Sequence, residues 1–254
     1  MNGFNALVLA GSRGGEDPVA TYGGAPHKAL LRLGGETLLA RVVDALRRAG
    51  AARIAVVTSH PQVRAEAAMM GAETFDEAEG PSLSVAAGAA RVGTPLLLTT
   101  ADHALLEPEW VSRFLADVPQ DADVAALVAA RATVEAAAPD TQRTWLKLAD
   151  GQWSGCNLFW LANDRALRVI DLWRRVEAER KRPWRMARIL GPRMLLRHLA
   201  GRLTLEEAAR RLGDLAGVRA AVVETPYGLA SVDVDKPADL DLVRQIRGYT
   251  TRDK

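Results

Sequence analysis

The chain has 254 residues, with 33 basic and 31 acidic side chains, and 48% of its residues are hydrophobic. This is the composition of an ordinary globular protein, which excludes disorder, collagen-like repeats and a coiled coil. The single cysteine, Cys156, cannot form an internal disulfide, and no apolar run approaches the roughly 18–20 residues needed to span a bilayer. The first ten residues lack the basic start and long apolar stretch of a signal peptide. We therefore expect a cytoplasmic protein without a transmembrane segment.

Strands and helices are predicted to alternate through the first half of the chain. The opening run Ala6–Ala10 is continuously apolar, as in a strand covered on both faces, and a polar glycine-rich stretch follows it over residues 11–28. Such alternation favours a doubly wound, mostly parallel mixed α/β sheet. Further strands are predicted at 53–58, 95–100 and 123–130, and helices at 37–49, 62–70, 84–92 and 107–116.

From Arg143 onward the pattern changes. Two strands, TWLKL and NLFWL, flank a predicted turn at Asp150-Gly151. Neither a linker nor an internal repeat is evident, so we expect residues 1–254 to form a single domain with a helical, basic insertion near residues 164–213. The elements predicted in this half are helices at 164–180, 185–199 and 204–213, a strand at 219–224 and a closing helix at 237–247.

The glycine-rich stretch leaves the carboxyl end of the first strand, which is where parallel α/β sheets bind ligands. Its glycines let backbone N–H groups approach phosphate oxygens, and Arg13 and Lys28 add positive charge. The stretch contains neither GxxxxGK[ST] nor GxGxxG, which excludes a P-loop and a dinucleotide fingerprint. On this evidence alone, a plain connection from strand to helix is an equal alternative.

Both ends of this stretch resemble the signature of the MobA-like nucleotidyltransferases, roughly L-A-G-G-x-S-x-R-M-G-x-x-K. The matching segments are Leu9-Ala10-Gly11-Ser12-Arg13 and Pro26-His27-Lys28-Ala29-Leu30. The Met-Gly of the signature is missing here, and the stretch is longer than in the family. The resemblance implies a Rossmann-like nucleotidyltransferase fold of GT-A type, with Arg13 and Lys28 as catalytic contacts to the phosphates. It also implies a nucleotide-binding cradle formed by Leu9, Ala10, Gly11, Ser12 and Gly14.

Two aspartates stand where Mg²⁺ could be held. Asp102 directly follows the apolar run PLLLTT, and Asp235 comes just before the closing helix. The charge of a triphosphate must be neutralised during nucleotidyl transfer, usually by carboxylate-bound Mg²⁺. Both segments resemble family motifs, x-x-D-x-P and D-I-D-T-P-E-D-L, which implies that Asp102 and Asp235 bind the metal and that Asp102 also lies at the nucleotide. The resemblance favours Asp235 over Asp233, because the family ligand lies immediately before the Thr/Lys-Pro turn. On a strand the two aspartates would also face opposite ways, so only one of them could join Asp102. Helix capping by the two aspartates is the alternative.

Regions for the base and the acceptor follow from the same resemblance. Residues 80–88 resemble the family segment G-x-x-x-S-L-x-x-G, which meets the nucleobase, and this implies roles for Ser82 and Ser84. An N-cap role for Ser84 is an equally good interpretation. Gly155 and Asn157 take positions that contact the sugar or the acceptor in related enzymes.

A strongly basic segment follows. Residues 174–202 contain ten basic and two acidic side chains. We interpret Arg182 and Arg185 as a clamp for a phosphorylated acceptor, because guanidinium groups match phosphate geometry. Contact with a membrane that carries a lipid-linked acceptor, and an ordinary solvated surface, stay open.

The resemblance implies a Mg²⁺-dependent nucleotidyltransferase, of EC 2.7.7 type. It would move an NMP group from an NTP to a phosphorylated small molecule and release pyrophosphate. One alternative is a metal-dependent nucleotide-sugar glycosyltransferase of similar fold, which is disfavoured because no second aspartate stands two positions after Asp102. Another is a non-catalytic nucleotide-binding relative. A nucleic-acid partner is disfavoured because no recognition motif accompanies the basic segment. The sequence indicates neither the NTP, the acceptor nor the oligomeric state.

Overall fold

A computed structural model describes residues 3–12, 15–179, 189 and 191–249. The strands are β1 (Phe4–Leu9), β2 (Arg32–Leu33), β3 (Glu36–Thr37), β4 (Ala51–Val57), β5 (Glu73–Phe75), β6 (Leu96–Thr100), β7 (Val124–Ala130), β8 (Leu146–Leu148), β9 (Gly151–Leu161) and β10 (Ala220–Glu224). The α-helices are α1 (Pro18–Gly23), α2 (Leu38–Arg48), α3 (Pro61–Met69), α4 (Pro81–Val92), α5 (Pro108–Asp117), α6 (Arg131–Ala137), α7 (Arg168–Glu179), α8 (Pro192–Leu199), α9 (Leu205–Ala216) and α10 (Pro237–Ile246). Short 3₁₀ turns lie at Lys28–Leu30, Asp164–Leu167 and Gly228–Ser231.

An eight-stranded mixed sheet forms the centre of the molecule, in the order β10-β7-β9-β6-β1-β4-β5, with β8 paired to β9. The β10–β7, β6–β1, β1–β4 and β4–β5 pairs are parallel, whereas β9 runs antiparallel to β6, β7 and β8. Helices cover both faces, so central strands such as β1 are apolar on both sides, and Ala6, Leu7 and Val8 are completely buried. The predicted α/β class with a mostly parallel mixed sheet is confirmed.

The differences from the predicted elements have local causes. Helix α1 lies inside the glycine-rich stretch, where Asp17 caps it by accepting from the N–H groups of Val19 and Ala20, and Gly24 ends it with a φ of 71°. Helix α4 begins at Pro81 instead of Ser84. Helix α9 continues past Gly213 and ends at Gly217, which has a φ of 69°.

Three connections meet at the carboxyl ends of the central strands β1 and β6, which form one edge of the sheet. The N–H of Ala101 donates to the carbonyl of Leu9, which joins the ends of β6 and β1 (2.9 Å). The N–H of Val234 donates to the carbonyl of Asp102 (3.1 Å), which brings the segment before α10 to the same edge. This edge is where the glycine-rich stretch begins, so the fold gathers the three segments that the sequence singled out.

The predicted helical insertion is attached to the rest of the fold at several points. Helix α7 packs against α4 and α9, and α9 packs against the edge strand β10. Of the helix predicted at 185–199, the structure describes Ile189 and 191–199, and places α8 in the latter range. Over the described ranges, none of the helices combines the length and the apolar character that crossing a membrane requires.

Candidate functional site

Lys28 lies at the centre of the candidate site. It opens the 3₁₀ turn after the glycine-rich stretch, which His27 caps by accepting from the N–H of Ala29 (3.1 Å). The Lys28 ammonium donates to Asp102 Oδ2 at 2.6 Å and to Asp235 Oδ1 at 3.1 Å. Burial alone would lower the pKa of Lys28, but the two carboxylates outweigh it and raise the pKa above its usual value. The side chain is therefore a fixed positive charge held between two acids.

The two carboxylates differ in their surroundings. The Asp102 side chain is 13% exposed, and its Oδ1 is buried without a hydrogen-bond partner. The Asp235 side chain is 58% exposed. The unsatisfied Asp102 oxygen and the convergence of both acids on one cation fit a divalent metal. Mg²⁺ commonly takes one or two carboxylates and completes its coordination with water and substrate phosphates. Within the described ranges, no group of three or more His, Cys, Asp or Glu side chains could hold a metal.

His103 lies beside Asp102 and is buried. Burial lowers its pKa to about 4, against the opposing effect of the neighbouring Asp102 carboxylate. The ring is therefore neutral at pH 7. The cation that Asp102 binds is therefore Lys28 and not His103.

A second cluster is centred on Asp233, in the segment before α10. It joins this segment to Arg143, before β8, and to Asn157 in β9. Arg143 donates to Asp233 Oδ1 at 2.6 Å, and Asn157 Nδ2 donates to Asp233 Oδ2 at 2.7 Å. Arg143 also donates through Nε to the hydroxyl of Ser154 (3.2 Å). Burial raises the pKa of Asp233, and the Arg143 guanidinium acts against that rise. The sequence reasoning missed Arg143, because no motif or spacing links it to a residue 90 positions away.

The expectation that Asp233 and Asp235 lie on a strand and face opposite ways was wrong. Residues 232–235 are not a strand but an irregular segment between the 3₁₀ turn and α10, so strand alternation does not govern them. The two side chains nevertheless have different partners. Asp235 reaches Lys28, whereas Asp233 is bound by Arg143 and Asn157.

Asn157 has an unusual backbone conformation. Its φ of 49° is the only positive value outside glycine within the described residues. It lies in β9 next to the register shift between Ala126 and Val128 of β7, and Gly155 pairs with Val128 just beyond that shift. The irregularity turns the Asn157 side chain toward Asp233, so the chain accepts local strain to place this amide.

The cradle predicted after β1 is described as far as Ser12. Ala10 donates its N–H to the carbonyl of Val57 (3.0 Å), and Gly11 follows, where a Cβ would meet the carboxylate of Glu77 and push that side chain aside. Glu77 is held in place by the N–H of Ser59, which donates to its Oε1 at 2.9 Å. The sequence did not indicate that an acid covers the cradle. Arg13 and Gly14 lie outside the described residues.

The two serines predicted at the base are buried and hydrogen-bonded within the protein. Ser82 donates to Glu177 Oε2 at 2.7 Å. Ser84 donates to the carbonyl of Gly80 (2.9 Å) and accepts from the N–H of Ala78 (3.0 Å). The N-cap interpretation of Ser84 is wrong, since Gly80 is the N-cap of α4. Arg182 and Arg185, proposed for the acceptor, fall outside the described residues.

The model of the MobA-like NTP transferase domain matches residues 6–152. The chain belongs to the MobA-like NTP transferase family. A solved structure described as a hypothetical transferase from Thermus thermophilus is 32% identical, with a TM-score of 0.79 over 93% of this chain and 98% of that one. Among curated proteins, none matches the chain.

Two further solved structures share the fold of this MobA-like protein at lower identity. A nucleotidyl transferase from Methanothermobacter thermautotrophicus is 22% identical, with a TM-score of 0.56 over 96% of this chain and 97% of that one. CMP:2-keto-3-deoxy-manno-octonic acid synthetase in complex with CTP is 19% identical, with a TM-score of 0.56 over 96% and 98% of the two chains. The family match ends at residue 152, so it covers Lys28 and Asp102 but not Asn157, Asp233 or Asp235.

Proposed function

We propose that the chain is a Mg²⁺-dependent nucleotidyltransferase that moves an NMP group from an NTP to an oxygen of a phosphorylated small molecule. The observation that carries this proposal is the Lys28 ammonium between Asp102 and Asp235, at the edge of the sheet where the glycine-rich stretch begins. A cation and two acids at that place match the needs of a triphosphate and its metal.

Lys28 would bind phosphate oxygens of the NTP once these displace its carboxylate partners. The exposed Asp235 gives up its contact more easily than the buried Asp102, because water can solvate it. Arg13 would add a second positive charge, and the backbone from Leu9 to Ser12 would line the phosphates. Mg²⁺ held by Asp102 and Asp235 would neutralise the triphosphate charge.

The transfer needs no covalent intermediate with the enzyme. An acceptor phosphate oxygen forms a bond to the α-phosphorus, the bond from that phosphorus to the oxygen bridging to the β-phosphate breaks, and pyrophosphate leaves with the electron pair. The acceptor phosphate is already ionised, so the step needs no protein base. Burial raises the pKa of Cys156, close to the site, to about 12, which leaves it a protonated thiol and a poor nucleophile.

We assign the acceptor side to Gly155 and Asn157 and to the arginines Arg182 and Arg185, and we add Arg143. Arg143 and Asn157 both end at Asp233, and that carboxylate fixes their positions relative to Lys28. Charge reversal at Arg182 and Arg185 should raise the KM for the acceptor and spare the KM for the NTP. An unchanged KM for the acceptor would mean that these two arginines belong to the ordinary solvated surface and do not bind the acceptor.

The first test is NTP binding, measured by thermal unfolding with GTP, CTP, UTP or ATP in the presence and absence of Mg²⁺. A ligand at about 100 times its Kd adds roughly 2.7 kcal/mol to the free energy of unfolding. We expect one NTP to stabilise the wild-type protein only with Mg²⁺, and Asp102→Asn and Asp235→Asn to lose that stabilisation. Asp121→Asn, at an exposed aspartate, is the matched control. NTP binding that is independent of both Mg²⁺ and Asp102 would refute the metal assignment.

The second test is turnover, measured as pyrophosphate release with the selected NTP and a panel of sugar phosphates and alkyl phosphates. Lys28→Ala should slow release by about 10²–10³-fold, the usual effect of removing one group that stabilises transition-state charge. Lys147→Ala removes an exposed lysine on β8 and should leave the rate unchanged. Equal rates in the two variants would contradict the role given to Lys28.

A further inference from the structure

Helix α8 presents an apolar face that nothing in the described fold covers. Pro192, Leu195, Leu196 and Leu199 recur at the spacing of one helical face, and α8 contains no buried residue. Leu196 is 66% exposed and Leu199 is 73% exposed. Single exposed leucines are ordinary, but a contiguous apolar face on one short helix indicates an interaction surface.

Positive charge surrounds this face. Arg193 and Arg202 are exposed, and within the described part of the chain neither side chain forms an ion pair. Residues 174–202 together carry ten basic and two acidic side chains, a formal charge of +8. Outside this stretch the chain has more acidic than basic side chains, so the net positive charge of the sequence belongs to the stretch that contains α8.

An ion pair joins α8 to the start of α9. Arg197, on the side of α8 away from the leucines, donates to both carboxylate oxygens of Glu207 at 2.7 and 2.8 Å. Glu207 belongs to the capping box that begins α9. The N–H of Leu205, also at the start of α9, donates to Asp150 in the turn between β8 and β9. Arg197 is thus bound to α9 while Leu196 and Leu199, on the other side of α8, stay exposed.

We propose that α8 docks on the surface of an anionic lipid membrane. Leucines on one face enter the boundary between headgroups and acyl chains, and flanking arginines bind lipid phosphates. A nucleic acid would match the charge but not the leucines. A second copy of the chain would place two strongly positive regions against each other, which opposes that pairing. The short apolar face makes the binding weak, reversible and sensitive to salt.

The test is co-sedimentation of the full chain with vesicles of phosphatidylcholine alone or of phosphatidylcholine mixed with phosphatidylglycerol, at low and high salt. We expect at least about tenfold more binding to the anionic vesicles, and loss of that preference at high salt. The double variants Leu196→Ser/Leu199→Ser and Arg193→Glu/Arg202→Glu should each lose most of the binding. Met69→Ser on α3 and Arg48→Glu on α2 change an exposed apolar and an exposed basic residue elsewhere, and both should bind as wild type.

Several results would overturn the proposal. These are equal binding to neutral and anionic vesicles, no binding to either, or leucine variants that bind anionic vesicles as well as the wild type does. Self-association measured by analytical ultracentrifugation without vesicles, and lost in the leucine variants, would assign the face to a second copy of the chain. Lys28→Ala should bind vesicles as wild type does, so failure of the docking proposal and failure of the transfer proposal are distinguishable.

Discussion

The charged side chains of the candidate site fall into two groups with different freedom to move. Lys28 is held by Asp102 and by an Asp235 that solvent reaches, so part of this contact can exchange for a substrate. Asp233 is buried and has a hydrogen-bond donor on each oxygen, from Arg143 and Asn157. Separating a buried carboxylate from its only cation is costly, whereas an exposed ion pair contributes little. The group around Lys28 is therefore suited to binding, and the group around Asp233 to holding position.

The backbone conformation of Asn157 and the contact of its side chain with Asp233 can be separated by experiment. Asparagine tolerates a positive φ better than alanine does, and glycine adopts it without a steric penalty. Asn157→Ala should therefore unfold more easily than Asn157→Gly, by about 1 kcal/mol in urea denaturation. Both variants lose the amide that donates to Asp233, and both should raise the KM for the acceptor. Equal stability of the two variants would mean that the φ of 49° is not strained.

At the scale of elements, Asp123 joins three strands. It accepts from the N–H of Arg219 before β10 and from the side chain of Asn163 after β9, both at 2.9 Å, and it stands directly before β7. The backbone N–H of Arg219, the Asn163 amide and the Arg165 guanidinium lower the pKa of Asp123 from 3.8 to about 2. The folded protein thus favours the ionised carboxylate of Asp123.

Because the folded pKa lies below the unfolded one, Asp123 stabilises the fold fully above pH 3.8 and loses this contribution as the pH falls toward 2. Asp123→Asn should lower the free energy of unfolding by about 2 kcal/mol at pH 7, with a smaller difference from wild type below pH 4. Urea denaturation across this pH range measures both effects. Asp121→Asn, two residues earlier and exposed, should change stability little. If the loss of stability in Asp123→Asn were the same below pH 4 as at pH 7, the charge of the Asp123 carboxylate would not be its cause.

The success of sequence prediction differed between elements for physical reasons. The bounds of β6 were predicted to within one residue and those of β1 to within two, because a strand buried on both faces is largely apolar. Lys28 and Asp102 were singled out from motifs at the ends of these strands, and the parallel sheet brings those ends together. Helix α1 was missed even though Asp17, Pro18 and Gly24 are ordinary signals for its two ends, because the glycines around it favoured a loop.

Other features could not be predicted from local patterns. The contact between Arg143 and Asp233 joins a loop before β8 to the segment before α10, and only tertiary packing brings them together. The positive φ of Asn157 follows from a register shift between β7 and β9, and single-strand periodicity does not report pairing register. The sequence therefore singled out Lys28, Asp102 and Asp235, which the structure brings together, but not Arg143 or the backbone conformation of Asn157.

At the scale of the whole molecule, the helical insertion is packed against the sheet in a way that argues for one cooperative unit. Helix α7 contacts α4, which covers β1, and α9 contacts both α7 and β10. We therefore propose that residues 1–254 unfold together as a single domain. Gly213 lies at the contact of α9 with β10, where a Cβ would approach the carbonyl oxygen of Val218 to 2.6 Å and the nitrogen of Ala220 to 2.9 Å.

Gly213→Ala tests whether the helical insertion and the sheet unfold together. Forcing a methyl group against backbone costs about 1–3 kcal/mol, offset in part by the roughly 1 kcal/mol that alanine gains over glycine inside a helix. Because the opposing atoms belong to the backbone, we expect the upper end of this range, a net loss of about 2 kcal/mol. For a chain of this size each 1 kcal/mol moves the Tm by about 2–4 °C, so the Tm should fall by about 4–8 °C in scanning calorimetry. If the chain is one unit, a single transition shifts as a whole, and Arg210→Ala on the exposed face of α9 leaves it in place. Two transitions, of which only one responds to Gly213→Ala, would show instead that the insertion unfolds separately from the sheet.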